Sequence, residues 1–437
     1  MCNCEGPPLR PGKPRPLPST DPLPIYLDYN ATTPLCDEAW EAMLRLRSVW
    51  GNPSSSHPYG MAAKFALEEA RKKVSDAIHA KMPENILFTS GGTEANNLAI
   101  IGGASKVYER DPARCCVIAT AVEHPAVEEV LSILQHPNLP KMEEGGFVAY
   151  RFPVEEKTGC VDPHTWRQLL LQLPGGPRSV ALVSVMHANN EVGSVNPIGE
   201  LVQMVKELCG EEALFHSDAA QSIGKVPVDV NLLQVDLLSI CSHKFYGPKG
   251  VGALYVKEGV QLQRILFGAG HERGLRPGTE NVMQVTGMAE ALHLACSNLS
   301  ENASKLRETR DELLHVIEEE LAKVGMEYVV NGDIRCALPN TLNIALYKDD
   351  YAGRRTYISA QRLIHSVGDK VCMSAGSACH SSAEEVEVSA PLKGVGVDLP
   401  RAVGTLRLST GRGTSMEEVR RAARIIVRQA AQQFADI

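Results

Sequence analysis

At 437 residues, with 44% hydrophobic and 22% charged side chains, the chain has the composition of a folded protein large enough for two domains. Its 44 basic and 52 acidic residues leave a net charge of −8, which argues against a general binder of nucleic acid or anionic membrane. Twelve scattered cysteines at no disulfide-framework spacing fit a reducing compartment, and no apolar run reaches membrane-spanning length, so a cytoplasmic protein is expected.

In chain order, Met1 to Pro24 is rich in proline and lacks an apolar signal core. It reads as a disordered extension rather than a targeting peptide. Cys2-Asn3-Cys4 has the spacing of half a metal site, but no second Cys/His pair completes it, and no metal is expected. From about Pro83, short apolar runs alternate with amphipathic stretches: Asn85–Phe88, Cys116–Ala119, Val180–Val185, Ala213–His216, Leu237–Ile240 and Gly252–Val256. That alternation predicts an α/β fold with a mostly parallel sheet. Beyond Met288 the texture changes. A long charged amphipathic segment runs from Ala289 to Leu321, and beyond it a strand is expected over Thr341–Leu346, a mobile loop from Glu384 to Lys393 and a helix over Met416–Phe434. Residues 25–288 read as a large domain and 289–437 as a smaller one, with Ile25–Asp28 and the helix after it packing near the smaller unit.

Polar residues crowd the far ends of four successive apolar runs: Glu123-His124, His187–Glu191, Asp218 and Lys244. Ligands in open α/β sheets bind at the carboxyl ends of strands, so this cargo converges on one rim. Lys244 is the most telling of these residues. An ammonium at the end of a buried strand is costly, and the chemistry that uses the cost is a desolvated amine condensing with a carbonyl, most often that of pyridoxal phosphate. Such a cofactor needs an acid for its pyridine nitrogen and a phosphate cradle; Asp218 and Ser90-Gly91-Gly92-Thr93-Glu94 supply candidates for both. Read singly, Lys244 is a surface lysine, the glycines a turn, Asp218 a helix cap and His124 a core histidine. Together and in this order they favour the cofactor site.

These segments resemble the class V aminotransferase superfamily of fold-type I pyridoxal phosphate enzymes, and within it the cysteine desulfurase and selenocysteine lyase family. The matching stretches include Tyr26–Pro34, Gly51–Ser55, Thr89–Glu94, Glu123-His124, His187–Glu191, Asp218–Gln221, Ser242–Gly250, Gly270–Arg273, Arg276–Asn281, Gly376–Cys379 and Arg407–Ser409. The resemblance implies that Lys244 holds the cofactor covalently and moves substrate protons. It gives Asp218 the pyridine nitrogen, and His124 a place on the ring with a part in proton transfer. Gln221 and Asn190 would contact ring substituents and substrate, Gly92, Thr93, Ser242 and His243 the phosphate, and Arg407 the substrate carboxylate. Thr279 would reach the phosphate of a neighbouring subunit, implying a homodimer.

Cys379, in a loop of small residues, would attack or protonate the departing sulfur or selenium and pass it to an acceptor protein. Cys379-His380-Ser381 stands where typical desulfurases carry Cys-Thr-Ser, and Cys241 where a serine is usual. Cys379-His380-Ser381, with Lys244–Pro248 and Gly51–Ser55, looks more like animal selenocysteine lyases. The leading expectation is therefore release of selenium from L-selenocysteine to leave L-alanine, with L-cysteine desulfuration as the alternative. A class V aminotransferase and a non-catalytic scaffold fit less well, because neither uses the loop thiol.

Overall fold

The computed structural model describes residues 23–135, 146–378 and 387–435. The proline-rich stretch through residue 22, Cys2-Asn3-Cys4, Cys379 and His380 lie outside the described residues. After the short strand β1 (Ile25–Tyr26), seven strands build the main sheet: β2 (Ile86–Thr89), β3 (Cys116–Thr120), β4 (Val148–Phe152), β5 (Val180–Ser184), β6 (Leu214–Asp218), β7 (Leu237–Cys241) and β8 (Gly252–Val256). Their order is β2-β8-β7-β6-β5-β3-β4. From β4 to β7 neighbours are parallel, and β8 runs against both β7 and β2.

Helices cover both faces, which is why the central strands read as unbroken apolar runs rather than alternating ones. Side chains still alternate in destination, as the pleat requires. Phe88, Ile118, Val183, Phe215 and Leu238 enter one core; Leu87, Val117, Leu182, Leu214 and Leu237 enter the other. The edge strand β4 alone shows mixed exposure.

The C-terminal part holds the strands β9 (Glu327–Val330), β10 (Thr341–Asp349), β11 (Arg355–Tyr357), β12 (Val371–Cys372), β13 (Ser374–Ala375), β14 (Ser377–Ala378), β15 (Glu387–Val388) and β16 (Thr405–Ser409), and a third core. An antiparallel sheet of order β11-β10-β16-β13, with β9 also on β10, packs against helices Leu299–Lys323, Ala360–Val367 and Met416–Ala435 through Leu313, Ile344, Leu363, Leu408 and Ile426. Ile25 and Leu27 join this core, and β1 pairs in parallel with β12.

Two expectations need correction. The helix after β1, Asp37–Arg45, puts Ala39 in the main core and packs on helix Val282–Ser297. A Cβ on Gly287 of that helix would meet Met43 at 2.7 Å, so only glycine permits so close an approach. The charged amphipathic segment from Ala289 falls on two helices, Val282–Ser297 and Leu299–Lys323, separated at Asn298. Within Glu384–Lys393, Glu387–Val388 is strand and Ala390 opens a helix. Pro391, read as a loop residue, occupies the first helical turn, where a missing N–H costs nothing. No helix among the described residues is long and apolar enough to cross a membrane.

Candidate active site

The carboxyl ends of β2, β3, β5, β6 and β7 open on a cavity of about 480 Å³. Of the residues singled out from the sequence, Gly92, Thr93, His124, Asn190, Asp218, Gln221, His243 and Lys244 line it. That volume suits a cofactor-sized ligand. Ser242, Arg407 and Thr279 do not line it.

Lys244 ends a short 3₁₀ turn that follows β7. Its Nζ donates to the carbonyls of Asn30 (2.7 Å) and Ala31 (2.9 Å), and no carboxylate pairs with it among the described residues. Burial is the chief reason that the amine sits below the usual lysine range, with Arg407 adding in the same direction. The chain leaves Lys244 through a left-handed residue, Tyr246 (φ 70°), a conformation unfavourable for a non-glycine residue. Three bonds hold it: its N–H donates to Thr33 Oγ1, its carbonyl accepts from Cys36, and its hydroxyl accepts from the Arg412 N–H.

Asp218 is buried at the end of β6. Its carboxylate accepts from Asn96 Nδ2 (2.7 Å) and the Ala220 N–H (2.8 Å). His124 caps helix Pro125–Leu134, its Nδ1 accepting the Ala126 N–H at 3.1 Å. That bond leaves Nε2 to carry the proton of the neutral ring. Desolvation holds the imidazole below its ordinary range. His243 Nδ1 lies 3.1 Å from Thr32 Oγ1.

The Ser90–Glu94 turn begins a helical segment at Gly92. A Cβ at Gly92 would press on the Cys241 side chain at 3.1 Å, and one at Gly252 of β8 would lie 2.7 Å from Gly91 carbon. These two glycines let the turn lie flat against the sheet. Burial alone would raise the Glu94 carboxyl, but hydrogen bonds from Ser90 and Arg276 outweigh it and keep the group ionised. Ser242 is buried and its Oγ has no hydrogen-bond partner. Arg407 Nη2 donates to Asp28 (2.7 Å) and Ser374 (3.0 Å), and Nη1 to the Asn190 carbonyl (3.1 Å). Its Nε is buried and unpartnered. Thr279 is exposed.

Sequence reasoning missed Asn96, which anchors Asp218, although it stands three residues after Thr93 in a motif already singled out. It also missed Lys249, which lines the cavity, and gave Asn30 no role. Glu123, beside His124, is fully buried. Desolvation raises its carboxyl to about 8, against hydrogen bonds from Met186 N–H and Thr120 Oγ1 that lower it. A carboxyl raised on folding is protonated in the native state while the unfolded chain ionises, so stability falls as pH rises from the unfolded value to about 8. Glu123→Gln keeps both accepted bonds and does not titrate. Urea denaturation is expected to show it gaining on the wild type by on the order of 1 kcal/mol per pH unit between about 4.5 and 8. A constant difference across that range would refute the protonated form.

The class V aminotransferase family model matches residues 25–422. Cysteine desulfurase IscS of Dictyoglomus turgidum is 39% identical over 397 residues, covering 90% of this chain and 91% of its own. Cysteine desulfurase IscS of Escherichia coli strain HS is 37% identical over 404 residues, covering 91% and 90%. Among solved structures, a NifS-like protein superposes with a TM-score of 0.78 at 30% identity, covering 95% of this chain and all of its own. SspA in complex with cysteine gives 0.69 at 27% identity, covering 89% and 99%. The chain belongs to the class V aminotransferase superfamily and, within it, to the cysteine desulfurase family of pyridoxal phosphate-dependent enzymes. The residues present fit that cofactor. A desolvated amine and a buried carboxylate share one cavity with a glycine turn, and the buried Ser242 hydroxyl without a partner stands beside them.

Proposed function

We propose that this enzyme removes sulfur from L-cysteine, leaving L-alanine and a persulfide on Cys379 that passes to an acceptor protein. The observation that carries the chemistry is the Lys244 amine, lacking a carboxylate partner, in one cavity with Asp218 and His124. The two IscS relatives above are named cysteine desulfurases, and that name moves sulfur ahead of the selenium substrate expected from the sequence.

Pyridoxal phosphate, when bound, supplies an electron sink for negative charge developing at the substrate Cα. The chain's own residues do the rest. Lys244, kept basic yet largely desolvated, takes the Cα proton and returns protons to the product carbon. Asp218, held by Asn96 and Ala220, presents a carboxylate that favours a protonated pyridine nitrogen. His124, its Nδ1 held by the Ala126 N–H, would lie on the ring and share in proton transfer through Nε2. Gln221 and Asn190 would contact ring substituents, and Gly92, Thr93, Ser242 and His243 would take the phosphate. Arg407, held by Asp28, Ser374 and the Asn190 carbonyl, would receive the substrate carboxylate. The Cys379 thiolate attacks the substrate sulfur. An S–S bond forms, the Cβ–S bond breaks, and its electron pair stays with carbon until protonation gives alanine.

The second reading, selenocysteine cleavage, is favoured by Cys379-His380-Ser381. Turnover of L-cysteine and L-selenocysteine by one preparation decides between them. Comparable or faster release from cysteine, with persulfide trapped on Cys379, is expected; turnover of selenocysteine with negligible release from cysteine would restore the selenium assignment.

We also propose a homodimer and a cytoplasmic location. Support for the dimer comes from the exposed Thr279, and from Trp40, Leu44, Tyr59, Met61 and Phe65, large apolar side chains exposed on helices Asp37–Arg45 and Pro58–Ala77. Sedimentation is expected to give a dimer, and a fully active monomer loaded with cofactor would refute it. Division of the chain near Met288 into a cofactor-binding and a smaller domain is retained as a proposal, supported by the separate C-terminal core.

A further inference from the structure

Lys225 is buried behind the cavity, with no carboxylate paired to it among the described residues. After β6 the chain makes a short helical turn, closed by Ile223 N–H to Ala219 carbonyl (3.3 Å) and Val226 N–H to Ser222 carbonyl (2.9 Å). Residues four apart on such a turn face the same way, and Lys225 Nζ donates to Gln221 Oε1 at 2.8 Å. It also donates to Asn30 Oδ1 at 3.2 Å. Burial, helped by the positive charges of Lys244 and Arg407, pushes this amine well below the ordinary lysine range. Both acceptors of this amine are side-chain amide oxygens, of Gln221 and Asn30.

The bonds have a directional consequence. Asn30 is locked, because its Oδ1 also accepts from Asn340 (3.0 Å) and its Nδ2 donates to Thr341 Oγ1 (2.8 Å). Its carbonyl accepts from Gln221 Nε2 (2.9 Å) and from Lys244 Nζ (2.7 Å). With Oε1 occupied by Lys225 and one amide hydrogen by Asn30, Gln221 has a single N–H left for the cavity that it lines. An apolar side chain of lysine's length would avoid the cost of burying an amine, so the two bonds are what the amine contributes.

We propose that Lys225 is a positioning residue: it fixes the orientation of the Gln221 amide so that Gln221 presents a hydrogen-bond donor, and not an acceptor, to an oxygen substituent of the pyridoxal ring. The proposal rests on the cofactor reading above. Its test is the apparent dissociation constant of pyridoxal phosphate for the full-length apoenzyme, read together with the absorbance maximum of the bound cofactor. Lys225→Met and Gln221→Ala are each expected to weaken binding by about tenfold, the worth of one hydrogen bond to a charged group. The double variant is expected to bind no more weakly than Gln221→Ala alone. A general structural defect would instead add to the loss in either background.

Wild-type affinity in Lys225→Met, or additive losses, would overturn the proposal. Should Lys225→Met not fold, Gln221→Glu keeps a partner for Lys225 but removes the donor. It must bind at least as weakly as Gln221→Ala, and wild-type affinity there would overturn the proposal too. Lys244→Ala separates the two levels. Undiminished covalent capture in that variant refutes the cofactor reading itself. Loss there, with Lys225→Met unaffected, refutes only the role of Lys225.

Discussion

Lys244→Ala is expected to abolish turnover, by about 10³-fold or more, and with it the visible absorbance of covalently held pyridoxal phosphate. Two roles are lost together, covalent attachment and proton transfer, and the second alone is worth roughly 10²–10⁴-fold. The fold should survive. Lys244 makes two hydrogen bonds, both to carbonyls of the Asn30-Ala31 segment, and Asn30 keeps its bonds to Ser409, Thr341, Asn340 and Gln221. Absorbance scans, turnover assays and thermal unfolding on the same preparation check the three statements. A variant that still takes up cofactor covalently and turns over would place the chemistry on another amine.

Cys379→Ala is expected to take up pyridoxal phosphate normally while losing sulfur release from L-cysteine by roughly 10²-fold or more, about 2.7 kcal/mol in barrier. The cofactor-facing groups, Lys244, Asp218 and His124, stand on the strand ends of the main sheet, and none of them depends on this thiol in the proposal above. Release of selenium from L-selenocysteine should fall less, because a selenol leaves more readily and needs less nucleophilic help. Desulfuration at the wild-type rate would remove Cys379 from the mechanism.

The parallel sheet was legible because residues buried on both faces leave unbroken apolar runs, and four of those runs end in polar residues that line one cavity. Lys244, Asp218 and His124 were legible for the same reason: each is a charged or titratable group placed where a strand stops. Boundaries were less legible. Asn298 interrupts a charged amphipathic pattern without any proline or glycine to announce it, and Pro391 looks the same in a loop as in a first helical turn.

What the sequence by itself determined is therefore the α/β layer pattern, the order of the cofactor-binding groups and the family. These follow from local periodicity and from residue types at strand ends. Only the tertiary structure decided which distant groups meet. Asn30 lies far from Gln221, Lys225, Lys244 and Asn340 along the chain, yet it bonds to all four. Asn96 reaches Asp218 across 122 positions, and Arg407 reaches Asp28 across 379. No periodicity encodes such pairings, because they arise where separate elements are packed together and each buried donor must find an acceptor. Lys225 is the clearest case: in the sequence it is one lysine after a turn, and only burial among amide oxygens makes it part of the site.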